Sequence, residues 1–402
     1  MTTTPRIAIV GGGPAGLMCA RVLQRHGIEA AVYDADTAVD SRDPGGTLDL
    51  HADSGQIALE DAGLMDAFMA LARTEGQAKT SRDHHGTVRA AFVPTDDDTA
   101  APEIDRGQLR AMLHAHLRPG TVRWGHKLLR VAPDGDGAHL LEFADGGRVS
   151  ADLVVGADGA WSKVRPLLTD AVPEYLGVCF LDVRYDDVDT RHPGIAELVG
   201  HGHMFANDGD GRAVIVQRNS DGVVRGYIAF RAEADWHTRA GVDLTDRAAV
   251  RAFLLREFSG WSALMRPMLT DNDSDYLPRA FHALPAPLTW RRVPGATLVG
   301  DAAHLMAPFG GHGTNLALLD AAELARAIAE EATVDAAVAR HEAAMFARSG
   351  ELAVQSNAAL RRFFATTSPD APHLPPDHAA EHEEYRARAA EYRRRQGEAG
   401  RA

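Results

Sequence analysis

The chain is poor in cysteine, with only Cys19 and Cys179 among 402 residues. Two thiols cannot build a disulfide framework, and their scarcity fits a reducing compartment. Also missing is any apolar run near the ~20 residues that a membrane-spanning helix needs. The start, MTTTPRIAIVGGG, has no basic region, and its apolar run is too short for a secretory signal. These absences read as a cytoplasmic protein. Positive charge is in deficit: 42 Lys and Arg stand against 56 Asp and Glu, a net charge of −14. So acidic a surface repels phosphate backbones and anionic lipids, so neither nucleic acid nor a membrane is an expected partner. The 38 glycines follow no three-residue period, and no repeat of 20–50 residues is visible.

What is present is globular: 45% hydrophobic and 24% charged residues, in a length that suits one large or two fused domains. Arg6 to Val10 reads as a strand, Gly11 to Gly16 as a glycine turn, and Leu17 to His26 as a helix stopped by Gly27. Ala30 to Tyr33 is a second strand, ending at Asp34. This is a βαβ opening, whose natural product is a parallel sheet. Leu153 to Val155 runs into Gly156-Ala157-Asp158-Gly159, and Thr297 to Val299 into Gly300-Asp301. One sheet could gather all three turns at its carboxyl edge. Between about 173 and 276 the texture changes. Phe180 to Tyr185, Ala213 to Gln217 and Val223 to Phe230 read as short strands of an inserted, mainly antiparallel sheet. Asn315 to about Arg362 is helical and rich in Ala and Leu. After Ser368 comes a linker-like, proline-rich stretch, then a charged segment from Asp377. In that segment Glu384/Arg388 and Glu391/Arg395 support a solvated helix.

Gly11-x-Gly13-x-x-Gly16 fits a dinucleotide fingerprint. Gly11 permits the turn, Gly13 lets backbone approach a pyrophosphate, and Gly16 lets the helix pack on the strand. A helix N-terminus then faces the phosphates. Asp34, at the end of the second strand, is placed to bond ribose hydroxyls, which favours FAD or NAD over NADP. Asp301 offers a short carboxylate at another strand end. Pro308 redirects the chain, and Gly310-Gly311-His312-Gly313 brings bare backbone near a flat ring at the start of a helix. His304 and His312 flank that turn and could touch substrate or cap it. His201-Gly202-His203 is a poor zinc set, because no Cys or Glu cluster accompanies it.

Together GGGPAG at 11–16, ADLVVGADGAWSKVR at 151–165 and GDAAHLMAPFGGHGTN at 300–315 resemble the three signatures of class A flavin monooxygenases, which have the para-hydroxybenzoate hydroxylase fold. GGTLDLH at 45–51, Ser54-Gly55-Gln56, Arg106-x-x-Leu109-Arg110 and LLREFSGW at 254–261 look like the tetracycline-inactivating Tet X type. The resemblance spans about residues 6–350.

The resemblance implies an α/β fold: a discontinuous, Rossmann-like FAD domain (1–75, 101–172 and 277–334) with an inserted, mainly antiparallel substrate domain (76–100 and 173–276) and C-terminal helices. Residues 335–365 would form a C-terminal helix and 366–402 a charged tail, a candidate for mobility. It also implies that Asp49, Arg110 and Asp301 contact FAD, that Arg42 helps bind NADPH, and that Asp158 belongs to a turn tied to both. Arg106, Ala15, Pro308, Gly311, Gly313 and Asn315 complete the expected cofactor set. The alternatives from the residues alone are a solvated Arg42, a helix-surface Arg110 and a turn-forming Asp49. No second nucleotide fingerprint follows residue 16, so NADPH would dock without a domain of its own. The implied activity is hydroxylation of a tetracycline or related polycyclic enol or phenol with NADPH and O2, through a flavin C4a-hydroperoxide, by a monomer. No catalytic side chain and no metal is expected. Asp182, His203, Arg225 and Tyr227 stand at the expected substrate contacts and differ in type from the family's. A biosynthetic or catabolic aromatic hydroxylase with another substrate, or a non-catalytic flavin sensor, are the alternatives.

Overall fold

The structure is a computed structural model that describes residues 5–43, 45–135, 137–365 and 376–399. Five parallel strands form its first sheet, in the order Ala296–Leu298, Leu153–Gly156, Ile7–Val10, Ala30–Tyr33 and Val122–Arg123. The central strand is IAIV, buried along its whole length, as a strand covered on both faces must be. The Pro14–Arg25 and His312–Glu330 helices pack over it, burying Leu17, Leu23, Leu318 and Ala321 in one core. Because the strands are parallel, their carboxyl ends open on one edge, where the Gly11, Ala157 and Gly300 turns lie.

Seven strands form the second large sheet: Pro278–Ala283, Glu174–Tyr185, Val224–Arg231, Arg212–Arg218, His203–Asn207, Lys79–Asp83 and Val88–Phe92. Neighbours are antiparallel except His203–Asn207 with Lys79–Asp83, which run parallel. Segments on both sides of residues 101–172 thus build one sheet. Its edge strand runs to Ala283, past residue 276 where the expected insertion ends. One face packs Leu181, Val214, Val216, Ile228 and Met204 into a separate core.

The helical stretch after Asn315 is two helices, His312–Glu330 and Val334–Phe363. The linker-like residues 369–375 lie outside the described residues. The His378–Ala399 helix departs from the solvated helix expected there. Its Glu384–Arg388 and Glu391–Arg395 pairs exist, at 3.1 and 2.7 Å. Tyr385 and Ala389, four apart, form the other face and are buried against Ala52 and Ala101, and Arg388 and Arg393 pair with Asp53 and Glu60. The charge pattern disclosed one face; the short apolar stripe binds the other. Among the described residues no helix is long and apolar enough to cross a membrane.

Candidate cofactor and substrate site

At the end of Ile7–Val10 the chain turns at Gly11, whose φ of +109° suits glycine. A Cβ there would lie 2.2 Å from the Ala157 carbonyl oxygen, and one at Gly16 would lie 1.9 Å from that of Gly11. Both glycines are therefore needed by the protein itself. Gly13 differs: a Cβ there meets nothing within 4 Å. It is the N-cap of the Pro14–Arg25 helix, which has no side-chain cap, and Ala15 lies buried in its first turn. An open position beside uncapped N–H groups fits a phosphate.

The charged residues expected around this turn divide into engaged and unengaged. Asp34 accepts from the Gly12 N–H through one oxygen and from the Asp36 N–H, at 2.8 Å, through the other. Arg110 is 3% exposed and lies beneath the turn. Its Nε donates to the Gly12 carbonyl at 2.9 Å and its Nη1 to Val39 at 3.0 Å, and Nη2 stands 2.8 Å from Asp36. Arg110 therefore shapes the cradle from the protein side. Arg42 pairs with the same Asp36 at 2.8 Å and is mostly exposed. Asp158 accepts from the Ser162 hydroxyl and the Lys163 N–H, each at 2.6 Å, so its carboxylate closes its own turn. Buried Arg165 then ties that turn to the next, donating to the carbonyls of Ala160 and Ala302, each at 2.8 Å.

Arg106 and Asp301 are different. Among the described residues neither side chain has a hydrogen-bond or ion-pair partner, and both are exposed at the first positions of helices Arg106–Ala115 and Asp301–His304. Arg106 reaches past Gly45, and Asp301 lies 3.9 Å from the Cβ position of Gly313. These two, with Gly13 and the main chain of Gly310–Gly313, are the groups with capacity left for a bound dinucleotide.

His304 resolves into a support. Its Nε2 is 2.5 Å from Asp320, which is fully buried and also pairs with Arg348 at 2.7 Å. Burial alone would raise the Asp320 carboxyl, but His304 and Arg348 outweigh it and hold it well below the usual range. The network anchors the short helix that carries Asp301. Asn315 has a similar part. It is 1% exposed; its amide donates to the carbonyls of Asp49 (2.8 Å) and Gly311 (2.9 Å), and its oxygen accepts from the N–H groups of His51 (2.8 Å) and Gly55 (3.2 Å). Its side chain is thus engaged in joining two loops, and only its main chain could face a cofactor. Gly311, at φ +67°, must lack a side chain because a Cβ would lie 2.5 Å from Asp49 Oδ1. Asp49 itself sits between His51 (3.3 Å) and Lys79 (3.5 Å). Beside it His312 is pushed down to about 4, chiefly by burial and then by His51, so its ring is neutral near pH 7. Pro308 is exposed at the rim of this turn.

The seven-stranded sheet meets this edge with its second face. Cross-strand register places Arg225, Gln217, His203 and Lys79 in one row and Asp182, Tyr227, Ile215, Phe205 and Ser81 in the next. The four expected substrate contacts therefore share one face. The first row is fastened to residues 43–47 and to Glu103. Arg225 donates to both oxygens of Asp43, at 2.9 and 2.7 Å; Gln217 reaches Thr47, and His203 lies 2.7 Å from Glu103. In the second row Asp182 is held by Arg279 at 2.8 Å. Between these ties Tyr227, Ile215 and Phe205 stay partly exposed, whereas the opposite face at Val214, Val216 and Ile228 is sealed. Phe180 and Phe281 stand edge-on to Tyr227, at 5.5 and 5.8 Å. Glu103, Lys79, Gln217 and Phe281 were not legible as site residues. Alternation in Arg212–Arg218 marks Gln217's face, but nothing local marks the others.

A parallel α/β sheet with a glycine cradle, a second unengaged turn beside it and a half-open sheet face opposite is the arrangement of a nucleotide-cofactor enzyme. Comparison with known proteins narrows the class. A family described as FAD binding domain matches residues 4–349. Monooxygenase asqM of Emericella nidulans is 30% identical over 370 residues, which cover 80% of this chain and 83% of that protein. Among solved structures, Klebsiella pneumoniae HpxO complexed with FAD and uric acid superposes with a TM-score of 0.75 at 21% identity, covering 96% of this chain and 93% of that one. Tetracycline destructase Tet(55) gives 0.70 at 20%, covering 97% of each. The chain belongs to the FAD-binding monooxygenase family. It is a flavin-dependent monooxygenase whose cofactor is FAD, with NADPH the co-substrate typical of the family, and the sensor alternative falls away.

Proposed function

We propose that this monooxygenase hydroxylates an electron-rich, multi-ring phenol or enol, with NADPH as reductant. The observation that carries the reading is the half-open floor of Tyr227, Ile215 and Phe205, walled by Phe180 and Phe281. Flat apolar rings fit such a floor by stacking and edge contacts. Three cations near it are already matched, Arg225 by Asp43, Arg279 by Asp182 and Lys79 by Asp49, and Arg106, close to Tyr227 and unmatched among the described residues, is assigned to the cofactor.

FAD, when bound, supplies hydride acceptance and oxygen activation. The chain's own part is to hold it through Gly13, Arg106, Asp301 and the Gly310–Gly313 main chain, and to keep the ring system of the substrate flat against Tyr227. Arg42 would meet NADPH at the exposed edge. A tetracycline is the finer candidate, supported by GGTLDLH and by likeness to Tet(55) in fold. The Asp182–Arg279 and Arg225–Asp43 pairs favour a polar edge of another kind, and with it another polycyclic substrate. The test is purified enzyme with NADPH in air against tetracycline, 1-naphthol, anthrols and salicylate, read by mass spectrometry. Multi-ring phenols or enols should gain one oxygen. Oxygen gain confined to salicylate would overturn the reading.

A further inference from the structure

We propose that His203 and Glu103 form a dyad that draws the proton from the substrate's phenol or enol hydroxyl, with His203 touching the substrate and Glu103 positioning the imidazole. The inference rests on the hydroxylase reading above.

Glu103 is completely buried. One carboxylate oxygen accepts the Thr47 hydroxyl at 2.8 Å, and the other lies 2.7 Å from His203 Nε2. Among the described residues no Lys or Arg pairs with it, and His203 is its one titratable partner. A buried carboxylate without a cation is costly, so an imidazole able to become a cation is the matching neighbour. A carboxylate only accepts, which assigns the proton on this ring to Nε2 and leaves the Nδ1 lone pair directed away from Glu103. Among the described residues Nδ1 has no hydrogen-bond partner, and it is not sealed in, since the side chain keeps 13% of its surface.

The place of this nitrogen suits the task. His203 sits in register between Gln217 and Lys79, and its ring lies parallel to that of Phe205 at 6.1 Å. It therefore stands at the polar border of the Tyr227–Ile215–Phe205 floor, where a hydroxyl on a stacked ring would point. The charged groups facing it are Glu103 from Glu103–Asp105, Asp49 from Thr47–Asp49, and Lys79 from Lys79–Asp83, the last two paired with each other. In the step, the substrate O–H bond breaks and an Nδ1–H bond forms. The electron pair stays on oxygen, enriching the ring carbons that the oxidant attacks, and nothing is oxidised or reduced. The imidazolium remains against Glu103 and returns its proton to solvent when product leaves.

The probe is 4-nitrophenol, whose phenolate is coloured and which ionises near neutrality, bound to FAD-loaded wild type, H203Q and E103Q and titrated by difference spectroscopy. On wild type its ionisation constant should rise about ten-fold over the free probe. H203Q should return it to the free value and E103Q should fall between, with FAD content unchanged in both. Binding of 4-nitroanisole, which has no proton to lose, should be equal in all three. An ionisation shift in H203Q equal to wild type overturns the dyad while leaving the hydroxylase reading intact. A holoenzyme that binds neither 4-nitrophenol nor 1-naphthol removes the hydroxylase reading and the dyad with it.

Discussion

Replacing Asn315 by alanine should loosen the cofactor cradle and the fold together. The side chain makes four hydrogen bonds at a 1% exposed position, to Asp49, Gly311, His51 and Gly55. Each is worth ~1 kcal/mol net, and stranding buried partners raises rather than lowers that figure, so the loss should be about 4 kcal/mol. For domains of this size that corresponds to roughly a 5–10 °C fall in unfolding midpoint. The loops it joins carry the Gly311 turn, so FAD affinity should fall at least about ten-fold, the equivalent of 1.4 kcal/mol. N315D should fare no better, because it loses both donors and sets a carboxylate against two carbonyls. Thermal unfolding of apoprotein and fluorescence titration with FAD give the two numbers. An N315A protein that unfolds within about a degree of wild type and binds FAD unchanged would refute the account of Asn315 as the clamp.

Local features were the legible ones. Gly11, Gly13 and Gly16 follow a buried strand and open a helix, and every part of that signal lies within about twenty residues, so pattern alone located it. The roles of charged residues were less legible, because each depends on which partner arrives from afar. Arg110, which the resemblance assigns to FAD, grips the Gly12 carbonyl and Asp36 from below the turn. Arg225 meets Asp43 from 182 residues away, and His203 meets Glu103 from 100. Sheet register decides such meetings, and one residue of slip would turn each side chain to the other face. The C-terminal helix is legible on one face only, for a related reason. Its charge pairs are local, whereas the surface that buries Tyr385 and Ala389 belongs to residues 52 and 101.

Three further outcomes separate these roles. G16A should fail to fold or to hold FAD, because its Cβ would lie 1.9 Å from the Gly11 oxygen, whereas G13A, with nothing within 4 Å, should keep its unfolding midpoint and lose FAD affinity alone; comparing midpoints and FAD titrations of the two decides it. D320N should destabilise the protein by ~3 kcal/mol, since it removes the buried carboxylate that His304 and Arg348 share and leaves Arg348 only Glu323, and urea unfolding that matches wild type would contradict this. The last concerns acid release of the His378–Ala399 helix, whose buried His382 lies 2.8 Å from Asp98. Burial lowers the His382 imidazole from its ordinary 6.5, more strongly than Asp98 raises it. A histidine with a lowered folded pKa contributes stability above its unfolded value and loses it as pH falls below that value. Asp98 is also lowered: burial opposes ionisation, but the Ala100 N–H and His382 outweigh it, so its contribution is present above its own unfolded value and fades at still lower pH. Both signs agree, and docking should weaken continuously from pH 7 toward pH 4. Hydrogen exchange across residues 378–399 should therefore show protection falling over that window, after correction for intrinsic rates. In H382Q, which has no imidazole to protonate, the upper part of the loss should vanish. Protection that is flat from pH 7 to 4 in wild type, or an unchanged profile in H382Q, would show that the helix is held by Tyr385 and its arginine pairs without help from this buried pair.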